Sequence, residues 1–493
     1  MGDFRLRFAP SPTGYLHIGG LRTALYNHLF SKNNDGKFIL RIEDTDQTRF
    51  VEGAIENLIE SLEWSGIEYD EGVFIEDHKI VEKGDYGPYI QSKRLDIYRK
   101  YVDELLETGH AYYCFCSKER LDSIREEQKI KGLVPKYDGF CRNVTMEEAK
   151  ERIANGEEYV VRLKLPRDKD LKFHDLVRGD IVINTDDIDD QVLLKSDGYP
   201  TYHMAVVVDD HLMKISHIVR GEEWLSSTPK HVYLYEAFGW EKPIYVHLPT
   251  VLNKERKKLS KRHGDVAVGD FKEKGYLPEG LVNYLALVGW TPESNQEIMS
   301  MDEMIEQFSF DRVAKTGGIF DKEKLDWVNG HYIREEPIER ITDLAIPYLK
   351  EAGLVDDEFV SNNREWLETL VDIVREGMHH MDEIVERVEF MFTNEFDVEE
   401  EAIETLKGEG TLTILEAMRE ELDMVEEIDE EYANSFMKKV QKRSGIKGKN
   451  LFMPSRVALA GSLHGPEFAK IIYLLGKENI LARADYVEEK YLK

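Results

Sequence analysis

Cysteine is almost missing: there are three in 493 residues, Cys114, Cys116 and Cys141, all in one short stretch. So few thiols, odd in number, exclude a disulfide-stapled scaffold and suit a metal site instead. Long hydrophobic runs are missing too; no apolar stretch approaches the roughly 18 residues that a membrane helix needs. The opening residues, Met1-Gly2-Asp3-Phe4-Arg5-Leu6, offer neither the apolar core of a signal peptide nor a Ser or Thr at position 6 for myristoylation. The expectation is a cytoplasmic chain without a membrane partner, or an organelle-matrix one after loss of a transit peptide. There is no internal repeat. A Gly-x-x-x-x-Gly-Lys-Ser/Thr segment is absent, which speaks against a P-loop NTPase. Positive charge is scarce, with 65 Lys and Arg against 96 Asp and Glu and a formal net charge of −31. That balance argues against binding polyanions with the whole surface. Local stripes at Lys438–Lys449 and Lys254–Arg262 still allow phosphates to be neutralised.

What is present suffices for several packed domains: 42% hydrophobic and 10% aromatic residues over this length. Phe4 to Phe8 alternates like a strand and meets the breaker Pro10-Ser11-Pro12. Leu21, Ala24, Leu25 and Leu29 follow at helical spacing, and Phe38 to Ile42 reads as a buried strand. Strand, helix and strand predict a βαβ unit with ligands at the C-terminal strand edge, where His17 and Glu43 would both lie. Ala54 to Trp64 reads as a helix. Tyr159 to Leu165 and Ile181 to Ile183 read as strands of an inserted α+β domain. Met204 to Val208, Ile218-Val219 and Tyr245-Val246 read as the returning sheet. After Gly264 amphipathic helices dominate, at Arg340 to Leu349, Val371 to Val388, Leu412 to Leu422 and Ser435 to Arg443. The acidic run Glu420 to Glu431 reads as a solvated helix face.

Two segments carry the chemistry. Pro10 to Gly20 places His17, Gly19 and Gly20 at a helix entrance, where backbone N–H groups and the helix dipole suit a phosphate. Glycines allow close approach, and His17 can donate to an oxygen as charge builds. Lys258-Leu259-Ser260-Lys261-Arg262 is a loop whose two ammonium groups could stabilise leaving pyrophosphate. The plainer alternatives are a loop His beside helix-start glycines and a solvated basic turn. Their coincidence at one edge of a sheet favours a triphosphate site. Arg7 could equally decorate a strand face, and Glu43 could cap a helix.

These segments resemble the signature pair of class I aminoacyl-tRNA synthetases. Arg7-Phe8-Ala9-Pro10-Ser11-Pro12-Thr13-Gly14, Arg41-Ile42-Glu43-Asp44-Thr45-Asp46, Gly198 to His203, Asp209-Asp210-His211 and Arg220 to Trp224 narrow the resemblance to bacterial-type glutamyl-tRNA synthetases. Gly20 stands in the first signature where many class I enzymes have His. The resemblance implies an α/β, class I Rossmann-like catalytic domain split by an α+β insertion and followed by all-α anticodon-binding domains. It implies ATP-dependent ligation of L-glutamate to tRNA(Glu) through a glutamyl-adenylate, with exchange of pyrophosphate requiring tRNA. Arg7, Ser11, Glu43, Tyr202 and Arg220 resemble the glutamate pocket, Arg7 suiting the side-chain carboxylate through its fork and Glu43 the ammonium. Val206 stands where some relatives place Asn. His17, Gly19, Gly20, Glu223, Lys258, Ser260 and Lys261 resemble the ATP site, with Mg²⁺ on the phosphates and His17, Lys258 and Lys261 as the catalytic groups.

The implied domains are a catalytic first half over 1–91, an acceptor-stem insertion over 92–202 and a catalytic second half over 203–256. A stem-contact domain over 257–340 and helical anticodon-binding domains over 341–400 and 401–493 follow. Cys114, Cys116 and Cys141 are three thiolates of a structural Zn²⁺ site; Asn143 replaces the His that relatives often supply. Tyr137 or water is left as fourth ligand, against the alternative of semi-buried thiols without metal. Lys438 to Lys449 is either a contact to tRNA phosphates or a solvated helix end. Gly377 falls where discriminating relatives carry an anticodon-reading Arg, so tRNA(Gln) is expected as a second partner. A monomer is expected. The competing readings are a nucleotidyltransferase or ligase not acting on RNA and a non-catalytic RNA-binding relative.

Overall fold

The computed structural model describes residues 4–259 and 266–493. Two compact units emerge, one of residues 1–272 with 281–325, the other of 273–280 with 326–493. The first holds eleven strands in two sheets: β1 (Arg5–Phe8), β2 (Lys37–Leu40), β3 (Glu71–Glu76), β4 (Lys79–Lys83), β5 (Ala111–Cys114), β6 (Val160–Leu163), β7 (Asp170–Asp175), β8 (Gly179–Asn184), β9 (Val192–Leu194), β10 (His217–Gly221) and β11 (Ile244–Leu248). The large sheet runs β4-β3-β2-β1-β10-β11-β7-β8, parallel from β3 to β7 and antiparallel at both rims. A smaller antiparallel sheet, β5-β6-β9, belongs to the insertion. A short parallel pair, Val251–Leu252 with Gly318–Ile319, completes the unit.

β1 is followed by α1 (Ile18–Asn33) and then by β2 alongside β1, the βαβ unit that the opening pattern predicts. α1 buries Leu21, Ala24, Leu25 and Leu29, so the period of 3.6 faces the sheet. The helix Ala54–Trp64 has the predicted bounds. Two expectations change. Met204 to Val208 is not a strand; it lies in the buried helix Tyr202–Leu212. A fully buried helix segment and a buried strand share an unbroken apolar text, so periodicity cannot separate them. Ile181 to Ile183 lies in β8, and the β7–β8 hairpin joins the large sheet through Tyr245 and Asp175. Of the described strands in the insertion, β5, β6 and β9 form a separate layer.

The second unit is helical, built on Ile338–Glu351, Arg364–Arg375, Thr411–Leu422, Glu430–Ser444, Lys449–Ala460 and Phe468–Val487 around one core. Val371 to Val388 is not one helix: it ends at Arg375, and a turn around Gly377 leads to Ile384–Val388. Among the described residues no helix is long and apolar enough to cross a membrane.

Candidate functional site

The parallel strands β2, β1 and β10 end side by side, and their C-terminal ends carry Arg41, Arg7 and Arg220. Arg7 is 3% exposed. Its Nε and Nη2 donate to Asp210 at 2.9 and 3.2 Å, and Nη1 donates to the Val219 carbonyl at 3.2 Å. Arg41, fully buried, bridges Glu43 through Nη2 at 2.9 Å and Asp210 through Nη1 at 2.8 Å. Asp209 takes Arg94, Gln91 and Tyr98 at 2.7, 2.9 and 2.7 Å. Three guanidinium groups and three carboxylates thus form one balanced interior network, the condition under which buried charge is tolerated. Burial opposes the Asp210 charge, yet Arg7 and Arg41 hold its carboxyl below the usual range. Burial dominates at Glu43 and pushes it up against the pull of Arg41 and Arg7.

Arg220 is treated differently. Nε donates to His247 Nε2 at 3.1 Å, Nη1 to Tyr202 Oη at 3.1 Å and His231 Nδ1 at 3.2 Å, and Nη2 to Thr228 Oγ1 at 2.8 Å. The Tyr202 hydroxyl accepts from Arg220, while Arg7 and Glu43, on the neighbouring strand ends, are tied to each other through Asp210 and Arg41. Trp224 packs against the Tyr202 ring, centroids 4.1 Å apart. Ser11, the fifth predicted pocket residue, is exposed in the turn between β1 and α1. Val206 is buried in the helix that carries Tyr202.

At the helix entrance His17 is the N-cap of α1, and its Nδ1 accepts from Gly19 N and Gly20 N at 3.1 and 3.2 Å. Two of the N–H groups expected to face a phosphate therefore face the imidazole. A Cβ on Gly19 would lie 3.0 Å from His17 Cε1, and one on Gly20 would lie 2.8 Å from Leu16 Cδ1; here the glycines let the His turn fold back on its helix. His17 also bridges Ala267, and Ile18 N and Val268 N donate across the same seam. The chain that leaves the lysine loop thus returns to the first motif. Lys258 is exposed and bridges Leu252; Ser260, Lys261 and Arg262 lie outside the described residues. Glu223 is exposed at the end of β10, and its neighbour Glu222 accepts from Thr250 N at 2.7 Å.

The thiols converge. The ligand atoms of Cys114, Cys116 and Cys141 lie within 4.8 Å of one another. Tyr137 Oη is 3.4 Å from Cys114 Sγ and 3.5 Å from Cys116 Sγ. Hydrogen bonding from Cys141 pulls the Cys114 thiol well down and the same sharing pushes Cys141 up; burial first, then the hydrogen bond to Cys114, pushes Tyr137 up. Three clustered sulfurs are donors of the kind a structural Zn²⁺ takes, and the Tyr137 hydroxyl lies beside them.

In the helical unit Gly377 has no side chain, but Arg387 donates through Nη2 to its carbonyl and pairs with Glu383 at 2.9 Å. A Cβ at Gly377 would sit 2.7 Å from Arg387 Nη1. Arg41, Asp209 and Asp210 stand in motifs visible in the sequence, but their task is set only by the fold; Arg94, Asp175, Thr228, His231 and His247 are marked by no local pattern.

A family model described as tRNA synthetases class I (E and Q), catalytic domain, matches residues 3–327, and an anticodon binding domain matches 340–487. The chain is 57% identical over 490 residues to the glutamate–tRNA ligase of Alkaliphilus metalliredigens, covering 99% of each. It is 55% identical over 492 residues to that of Clostridioides difficile, covering 99% of this chain and 100% of the relative. A solved glutamate tRNA ligase from Elizabethkingia meningosepticum, in complex with its amino acid, superposes with a TM-score of 0.89 at 37% identity, covering 99% and 100%.

Proposed function

The chain belongs to the glutamate-type class I tRNA synthetases, and from that premise we propose how its own residues divide the reaction. Its activity is the ATP-dependent ligation of L-glutamate to tRNA. Arg220, Tyr202 and Arg7 take the amino-acid side chain and Glu43 takes its ammonium, with Ser11 as a further residue of the pocket. The observation that carries this assignment is the contact of Arg220 with the Tyr202 hydroxyl beside the adjacent strand ends that present Arg7 and the Arg41–Glu43 pair. Because Asp210 already fills the Arg7 fork, the main countercharge for the substrate carboxylate falls to Arg220.

ATP is served by His17, Gly19, Gly20, Glu223 and Lys258, together with Ser260 and Lys261, which lie outside the described residues. The seam from His17 to Ala267 supports this, because it ties the end of the lysine loop to the His turn. Mg²⁺ shields the phosphate charges when bound. No covalent enzyme intermediate is needed, so positioning and electrostatics carry the rate.

Cys114, Cys116 and Cys141, with Tyr137 as fourth donor, would hold Zn²⁺, which would staple the insertion. The domains divide at 1–91, 92–202, 203–256, 257–340, 341–400 and 401–493. The enzyme works as a cytoplasmic monomer on tRNA(Glu). It also charges tRNA(Gln): the Arg387 guanidinium near Gly377 is spent on Glu383 and a carbonyl, leaving it poorly placed to reject a base. A nucleotidyltransferase that ignores RNA has no use for the anticodon domain over 340–487.

Glutamate-dependent pyrophosphate exchange with and without tRNA tests the reading. Exchange is expected only with tRNA and is expected to fail in Glu43→Gln and Arg220→Lys; full activity of both variants would remove the pocket assignment. Charging of purified tRNA(Glu) and tRNA(Gln) side by side tests the second partner, and strong preference for the first would refute it.

A further inference from the structure

Arg220 is 6% exposed, yet among the described residues no carboxylate pairs with it directly. Its partners are Tyr202, Thr228 and two imidazoles. An imidazole can meet a guanidinium N–H only through an unprotonated nitrogen, so each ring must be locked as an acceptor on that side. Both are locked from behind. Asp175 Oδ2 lies 2.7 Å from His247 Nδ1 and also accepts the His247 backbone N–H at 3.0 Å. That carboxylate keeps the proton on Nδ1 and leaves Nε2 for Arg220. His231 Nε2 lies 3.0 Å from His203 Nδ1, so the His231 proton points at His203 and Nδ1 is left for Arg220. Asp175 is itself fixed by the backbone N–H groups of Val177 and Arg178 at 3.0 and 2.8 Å.

We infer that Asp175, His247, His231 and His203 are positioning residues that hold Arg220 by neutral acceptors, so that its charge stays unspent until the substrate's side-chain carboxylate arrives. The contrast with Arg7 is internal to the site: one guanidinium is neutralised by Asp210, the other is held by hydrogen bonds alone. Four of the five Arg220 N–H groups are occupied, and one on Nη2 has no partner among the described residues. A neutral carboxamide side chain would leave the buried charge uncompensated, so this arrangement favours glutamate over glutamine. Burial first, then the Arg220 charge, keeps His231 well below its ordinary range, and burial brings His203 down to about 4. His247 is also lowered by burial, against the upward pull of Asp175.

The inference rests on the assignment of Arg220 to the pocket, and the two can fail separately. The test measures KM for glutamate and for ATP in tRNA-dependent exchange, with thermal midpoints, for His247→Leu, His247→Gln, Asp175→Asn and Arg220→Lys. Loss of one hydrogen bond to a charged group corresponds to about a ten- to hundredfold change. His247→Leu and Asp175→Asn are expected to raise KM for glutamate by that factor while KM for ATP stays within about twofold. His247→Gln, whose amide oxygen can accept from Nε, should recover most of the loss. If His247→Leu does not fold, Asp175→Asn decides alone. Unchanged glutamate KM in folded variants, equal shifts for both substrates, or no rescue by His247→Gln would overturn the inference. If Arg220→Lys also leaves glutamate KM unchanged, the pocket assignment is what has failed.

Discussion

Arg7 and Asp210 stand 203 positions apart in the chain and form a two-point ion pair at 2.9 and 3.2 Å, both within the core beneath the strand ends. Asp210 also serves Arg41, so one carboxylate ties two strands to the helix Tyr202–Leu212.

Removing that carboxylate leaves two buried guanidinium groups short of charge. Asp210→Asn is expected to cost about 3–5 kcal/mol, read as a lower urea midpoint with an unchanged slope. A loss below about 1 kcal/mol would mean the network is not the anchor described.

Backbone geometry makes a second prediction at Gly72. Its φ is +131°, and a Cβ there would lie 2.1 Å from the Leu40 carbonyl oxygen in the neighbouring strand. Gly72→Ala should destabilise by about 3 kcal/mol. The partner atom is backbone and cannot swing aside, whereas at Gly20 the obstacle is a Leu16 methyl that can. Gly20→Ala should therefore unfold at nearly the wild-type midpoint, and chemical denaturation compares the two directly.

Acid should weaken the fold earlier than carboxylate titration alone would. Burial lowers His203 and His217 to about 4 each. Between pH 6.5 and 4 the unfolded chain binds protons there that the folded chain refuses, so stability is full above pH 6.5 and falls as pH drops. Asp210, with its pKa lowered in the fold, adds a loss at still lower pH. Guanidinium midpoints at pH 7.5, 6 and 5 should decline in order, and His217→Phe should flatten the decline. A pH-independent midpoint across that range would contradict it.

Metal analysis of the purified chain is expected to find one zinc per molecule. Tyr137→Phe should weaken retention during dialysis against chelator, and Cys116→Ser should abolish binding. Retention unchanged in Tyr137→Phe would assign the fourth position to another donor.

Much of the site was readable in the linear chain because its parts are local. The strand–turn–helix around His17 and the Cys-x-Cys pair are short-range patterns, and turns and periodicity are written into neighbouring residues. The helix Tyr202–Leu212 was not readable as a helix, since its apolar text suits either buried element. Nor was the division of labour between Arg7 and Arg220, which depends on which acid or imidazole the folded sheet delivers to each.

By itself, then, the chain's sequence settled which chemical groups are available and where strands break into turns. Only the packed structure decided that the β7–β8 hairpin extends the large sheet, bringing Asp175 behind His247 and His247 behind Arg220. The reason is physical: hydrogen-bond partners separated by 72 and 27 positions are chosen by burial and sheet register, which no local spacing encodes.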